Sequence, residues 1–338
     1  MIYKKLSFFI FSFFIILACF NGVLNQSSIL GKNIDLPNIT EQMVNYMNER
    51  NIDWKNIEYL ENRDFKQRFK YRWPFKTIEK KFYDFSYNID NLNNKHAALI
   101  YYSIIIFLGF IFTLKSSEIL LNKKRENFKY FFLILFLCLY LFIEIISSMS
   151  ETFSYVEFLC ISICLFGSIK KNLYIFYIGL VLSIFNRESG IAYGILYPLI
   201  NYKSLKSYIT IIIVISGPLI FALLNYDIIE FFPYFIVFGG LEERPTLINL
   251  KSIFLLKKGE LINSLLIYLI FFVPLFYMNI KNYFNLKLIW PLLVLFVLFF
   301  IIIIGSFFGN FRVLLLFIPL YLISFTLFLN NSNLFNKS

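Results

Sequence analysis

The chain has 338 residues, 59% of them hydrophobic and 21% aromatic, with a mean hydropathy of +0.68; this composition excludes an ordinary soluble domain and makes a lipid bilayer the natural solvent. A formal net charge of +11 would point to nucleic acid in a soluble protein, but in a membrane chain basic residues are first sorted by side, and no nucleic-acid partner is expected. His96 is the only histidine, and Cys19, Cys138, Cys160 and Cys164 all lie in apolar runs without a CxxC pair, so no metal site, cofactor or His-based triad is expected.

In chain order, the apolar runs predict membrane segments at 6–24, 97–114, 128–146, 155–169, 173–185, 190–200, 208–224, 261–279, 288–304 and 313–329. The expected fold is therefore all-α: a polytopic transmembrane helix bundle of about ten segments. The run behind Lys4 and Lys5 resembles a signal peptide but reads better as a retained first helix. It is followed by a large external loop, residues 25–96, with ten acidic and twelve basic residues. Within that loop Phe75, Ile78, Phe82, Phe85, Ile89 and Leu92 recur at spacings of 3, 4, 3, 4 and 3. Those spacings, with Pro74 suited to the first turn, predict an amphipathic helix over 75–92 lying in the membrane interface. A bundle of helices with a second external segment at 225–260 fills the remainder, 97–338. The passage 173–200 has two readings, a single long helix or two short segments meeting at Asn186-Arg187-Glu188-Ser189, and the second is preferred because it keeps Lys170 and Lys171 on the side of Lys203 and Lys206.

With the N-terminus inside, the cytoplasmic segments hold Lys4, Lys5, Lys115, Lys123, Lys124, Arg125, Lys129, Lys170, Lys171, Lys203, Lys206, Lys281, Lys287 and Lys337, against only Glu118 and Glu126. This asymmetry places both termini in the cytoplasm. The Ile, Lys, Asn and Phe bias fits an AT-rich bacterial genome, so the expected location is a bacterial inner membrane.

Ionisable residues inside spans are costly, which makes Glu144, Glu157, Arg187, Glu188 and Arg312 informative. In the assigned topology all five converge on the external half. Glu144, Ser147, Ser148, Glu151 and Tyr155 form a polar stripe if the third span continues as a helix. Arginine suits a phosphate because its planar fork donates two hydrogen bonds and stays charged. A carboxylate can take the proton of an attacking hydroxyl. Together they suggest transfer from a lipid-linked phosphate donor, with structural ion pairs as the bland alternative.

Tyr71-Arg72-Trp73-Pro74-Phe75, Phe185-Asn186-Arg187-Glu188-Ser189-Gly190 and Gly309-Asn310-Phe311-Arg312, with one helix ahead of a large external loop, make the chain resemble bacterial GT-C type glycosyltransferases. The resemblance is loose and spans the whole length. It implies a polyprenyl-phosphate-linked sugar as donor and a glycan or protein acceptor. It also implies a carboxylate base in the first external loop, with Arg187 and Arg312 on the donor phosphate and Glu144, Glu151, Arg72 and Tyr71 lining the substrate site. In that family the acid usually sits soon after the first helix, whereas residues 21–34 contain none and the first candidates are Asp35 and Glu41; Glu188 and Glu151 are the alternatives. A cell-surface polysaccharide polymerase or ligase, a transporter or flippase, and a chain without activity remain as competing readings. Broken helices in corresponding halves would mark a transporter, and only one break, in the middle, is visible.

Overall fold

In a computed structural model, residues 2–29, 94–121, 128–146, 152–186, 188–212, 258–305 and 311–331 are described, together with Ile78 and Lys81. Among these residues the chain is all-helical, without a strand. The elements are α1 (Ile2–Ile29), α2 (Asn94–Leu120), α3 (Phe128–Ile146), α4 (Thr152–Ile169) and α5 (Leu173–Asn186), then a 3-10 helix η1 (Glu188–Ile195) and the short α6 (Leu196–Ile200). After a helical stretch at 205–212 come α7 (Lys258–Leu286), α8 (Trp290–Gly305), a second 3-10 helix η2 (Phe311–Phe317) and α9 (Ile318–Asn331).

Among the described residues four stretches are long and apolar enough to cross a membrane: Leu99–Leu120, Phe128–Ile146, Ile262–Leu286 and Val313–Asn330. Shorter apolar helices lie at Leu6–Gly22, Ser154–Ile169, Leu173–Ile184 and Trp290–Phe299. Helix α3 matches its apolar run, whereas α1, α2 and α7 overrun theirs; α7 continues to Leu286, beyond the expected end at 279, because helical hydrogen bonding does not stop where the hydrocarbon does. Of the expected interfacial helix only Ile78 and Lys81 are described, both helical and exposed. The rest of 75–92, most of the span at 208–224 and residues 225–257 of the second external segment lie outside the described residues.

The chain divides into two units, residues 1–105 with 185–187 and residues 106–184 with 188–338. In the first, α1 buries Phe8, Ser12, Ile16 and Phe20, one residue per turn, and leaves Leu6, Ile10, Phe11 and Phe14 exposed. Phe20 meets Tyr102 edge-on at 6.4 Å.

The second unit is organised around α4 and the η2–α9 rod. Helix α4 is buried on nearly every face, and it packs against η2, α9, η1 and α6. Small residues make this crowding possible, as in membrane helix packing generally. A Cβ on Gly167 would stand 2.5 Å from the backbone nitrogen of Phe176, and one on Gly179 would stand 2.9 Å from that of Cys164, so α4 and α5 touch backbone to backbone. Hydroxyls along the seam are satisfied locally: Ser162 donates to the Phe158 carbonyl at 2.7 Å, Ser168 to that of Cys164 at 2.8 Å, and Thr113 to that of Gly109 at 2.9 Å. Thr113 also lies 3.1 Å from the Ser162 hydroxyl, tying α2 to α4. The four cysteines are free, with Cys160 and Cys164 packed and Cys138 exposed.

The helix directions follow from these contacts. Phe136 stacks on Phe158 at 5.9 Å, joining α3 and α4 as an antiparallel pair. Phe131 stacks on Phe325 at 5.6 Å, Phe271 meets Tyr321 at 5.4 Å, and Tyr277 meets Phe328 at 6.1 Å. Thus α9 runs against α3 and alongside α7. Ser324 donates to Asn279 at 2.8 Å and Asn282 donates to the Ser324 carbonyl at 2.8 Å, a polar clasp between α7 and α9.

At 173–200 the chain reverses. Tyr197 packs on Phe176 at 5.3 Å, and the Asn201 amide donates to the Ser168 carbonyl at 2.8 Å, returning residue 201 to the end of α4 from which α5 departed. The Ser183 hydroxyl bonds to the Gly190 carbonyl at 3.0 Å across the turn. A side chain at Gly190 would collide with Ser183, so the turn needs a glycine there. Lys129 and Lys115 share Glu118, at 3.2 and 2.7 Å. Lys170, Lys203 and Lys281 lie over the rings of Phe166, Tyr202 and Tyr277 at 5.5, 5.6 and 5.8 Å. One end of this unit is consequently rich in lysine, as snorkelling cations at a bilayer surface would be.

Outward faces are apolar as well. On α7, Ile262, Leu265, Leu266, Leu269, Ile270 and Val273 are exposed along one side, a stripe that an aqueous surface would not tolerate and hydrocarbon would. Replacing Gly167 with Ala should lower the melting temperature of the purified chain in detergent, a cost of about 1–3 kcal/mol for overpacking. Gly22→Ala is the control, because nothing lies within 4 Å of its added methyl. Equal melting of both variants with the unaltered chain would contradict the backbone contact.

Candidate functional site

The site is built at the end of the second unit opposite the lysines. Helix α3 buries Phe128, Phe132, Leu133, Phe136, Tyr140, Ile143 and Glu144. Glu144 therefore continues the helix's inward stripe, and the residue is 5% exposed. Glu157 stands in the second turn of α4, 2% exposed. Its Oε1 accepts a hydrogen bond from the hydroxyl of Tyr193 on η1. Tyr193 itself is fully buried.

Local sequence explains how Tyr193 arrives there. The reversal after α5 brings Gly190 against Ser183, and η1 then packs along α4 and α8. Pro198 falls in the first turn of α6, where its missing N–H leaves no helical bond unmade. Glu188 opens η1 and precedes Tyr193 by five positions. Arg312 is the second residue of η2, which packs on both α3 and α4. Because α9 runs against α3, the start of η2 lies toward the Glu144 end of that helix.

Four of the five span charges thus sit on elements that pack together at one end: Glu144 and Glu157 by their side chains, Glu188 and Arg312 by their backbone positions. One expectation needs correcting. The polar stripe Glu144, Ser147, Ser148, Glu151 and Tyr155 does not run along a single helix. Tyr155 belongs to α4, which is antiparallel to α3, so it cannot continue a stripe that starts at Glu144; residues 147–151 lie outside the described residues. The last apolar stretch, Val313–Asn330, falls where it is expected, with Arg312 at its start as the second residue of η2. Arg187, Glu151, Asp35, Glu41, Arg72 and Tyr71 lie outside the described residues.

Sequence reasoning missed Tyr193. It is one of 23 tyrosines, and nothing in its neighbourhood marks it as the partner of a carboxyl 36 positions earlier. Glu157 was legible as a charge in a span, but its place in a shared polar contact required the fold.

Chemically, a carboxyl held by a tyrosine hydroxyl inside an apolar bundle is a group of fixed orientation that can hold or pass a proton. Among the described residues no cluster of His, Cys, Asp and Glu is arranged to hold a metal ion. No family model matches the chain, and neither a curated protein nor a solved structure does.

The Glu157–Tyr193 contact should show energetic coupling. Tyr193→Phe and Glu157→Met should each destabilise the chain by about 1–3 kcal/mol, the usual range for disturbing a buried polar pair. The double variant should lose less than the sum of the two, by about 1 kcal/mol or more. Denaturation in mixed micelles measures the cycle, and strict additivity would contradict the contact.

Proposed function

We propose that the chain is an integral membrane glycosyltransferase of the GT-C type, moving a sugar from a polyprenyl-phosphate donor to an acceptor hydroxyl. The observation that carries this reading is the burial of Glu144 and Glu157 at the end where the turns bearing Glu188 and Arg312 also pack. Carboxylates sunk in an apolar bundle are expensive to keep, and they are a common mark of a working site.

In the proposed reaction the acceptor oxygen attacks the anomeric carbon, the bond from that carbon to the phosphate oxygen breaks, and the polyprenyl phosphate leaves. A carboxylate, Asp35, Glu41 or Glu188, takes the acceptor's proton. Arg187 and Arg312 bind the donor phosphate and stabilise the charge that grows on it during departure. Glu144 and Glu157 position the walls of the site, and the donor's lipid tail stays in hydrocarbon.

The topology that goes with this function has about ten membrane segments, with both termini and the lysine-rich end in the cytoplasm of a bacterium. The site then faces outward across the inner membrane, where lipid-linked sugars are used. Support for that orientation comes from the basic residues at one end, since cytoplasmic loops retain Lys and Arg.

Arg312→Lys discriminates between binding and scaffolding, because lysine keeps the charge and loses the two-pronged fork. Membranes containing the variant should hold normal amounts of protein and transfer sugar from a polyprenyl-phosphate donor at least tenfold more slowly, about 1.4 kcal/mol of lost transition-state binding. Near-normal transfer, or failure of the variant to accumulate, would remove the phosphate role.

A further inference from the structure

The lysine-rich end contains a cavity of about 220 Å³ whose lining includes Lys171, Lys287, Asn201, Tyr202 and Trp290 over an apolar floor with Leu120. No carboxylate is among its lining residues. It lies within the second unit, where α2, α4 and α6 end and α7 passes into α8.

Its two lysines share an unusual backbone. Lys171 has φ 58° and Lys287 φ 55°, the non-glycine residues with left-handed geometry among the described ones. Each follows the end of a helix. Lys171 donates its N–H to the Ser168 carbonyl at 3.2 Å while Asn172 donates to Gly167 at 2.8 Å, and Lys287 donates to Tyr283 at 2.9 Å. Such helix ends usually use glycine or asparagine. Lysine at both, flanking one cavity, accepts a backbone cost that glycine would avoid. Complementing the helix dipoles explains a lysine near each C-terminus but not the choice of the left-handed position itself. Both lysines are exposed, and neither forms an ion pair with a described residue.

Two cations above an apolar floor, beside the largely buried ring of Trp290, match a molecule that is anionic at its head and hydrocarbon below. We infer that this cavity seats the phosphate of an anionic bilayer phospholipid between Lys171 and Lys287, with the acyl chains descending past Leu120. Asn201 cannot offer its amide freely, since its NH2 already donates to the Ser168 and Tyr197 carbonyls, so recognition rests on charge. The inference depends on the chain lying in a bilayer and is independent of transfer at the opposite end; its failure would leave the glycosyltransferase reading untouched.

The test uses the purified full chain and native mass spectrometry, titrated with dioleoyl-phosphatidylglycerol and, separately, dioleoyl-phosphatidylcholine. The unaltered chain should retain the anionic lipid at least tenfold more strongly. Lys171→Asn/Lys287→Asn, in which asparagine tolerates the left-handed backbone, should lose about 30-fold, following the usual contribution of a lysine at an anionic surface. Lys206→Gln/Lys281→Gln, which changes lysines outside the cavity lining, should lose less than threefold. Equal retention of the two lipids by the unaltered chain would overturn the site, even if the asparagine variant failed to fold. So would an equal loss in both double variants, or displacement of the lipid by millimolar inorganic phosphate, which would indicate a free-anion site.

Discussion

Everything in the second unit depends on how closely α4 can be approached. Its single glycine, serines and cysteines leave little side-chain bulk, so α5 meets it backbone to backbone, at Gly167 of α4 and Gly179 of α5, while η2, α9, η1 and α6 occupy other faces. In hydrocarbon the hydrophobic effect gives helices no reason to associate; packing and hydrogen bonds must hold them. The seam supplies both. Aromatic rings interlock between α3, α4, α7 and α9, while hydroxyls bond to carbonyls of their own helices and leave few polar groups in need of water.

A helix gripped this tightly can hold a carboxyl in place. Glu157 lies on α4, and Tyr193 reaches it because the chain reverses beyond α5 and sends η1 back along the same helix. The reversal itself rests on Gly190, which admits the Ser183 carbonyl where any larger residue would obstruct it. Packing therefore leads to placement, and placement to chemistry. Shortening the α4 side chains is what brings a tyrosine from a distant part of the sequence to a buried acid. Lysines gather at the opposite end because each helix that enters leaves at the other, so two ends of contrasting charge arise from simple alternation.

Much of this was legible in the sequence. Apolar runs about the thickness of a bilayer announce α2, α3, α7 and α9, and the basic residues between them sort the ends, because charge and hydropathy are properties of single residues in order. The inward placement of Glu144 follows the four-residue spacing of Phe132, Phe136 and Tyr140. The helix ends were less legible: α7 runs past its apolar stretch, and the polar stripe expected from Glu144 does not reach Tyr155, which lies on the antiparallel α4. Illegible altogether were the Tyr193–Glu157 contact and the left-handed lysines. Both result from which elements meet in space, and no spacing along the chain encodes that. The external loop bearing Asp35, Glu41, Tyr71 and Arg72 lies outside the described residues, so that half of the proposed site rests on sequence.

The central claim is that the chain reverses between α5 and η1, which puts Lys170 and Lys203 at one end and fixes the carboxylates at the other. Single cysteines at Lys170→Cys or Lys203→Cys, in a chain whose four native cysteines are replaced by serine, can be labelled in intact cells with a membrane-impermeant maleimide before and after permeabilisation. The account predicts the same outcome for both positions, protection in intact cells and labelling only once the membrane is opened. Labelling of one position from outside and of the other only from inside would mean that 173–200 crosses once, and would contradict the account.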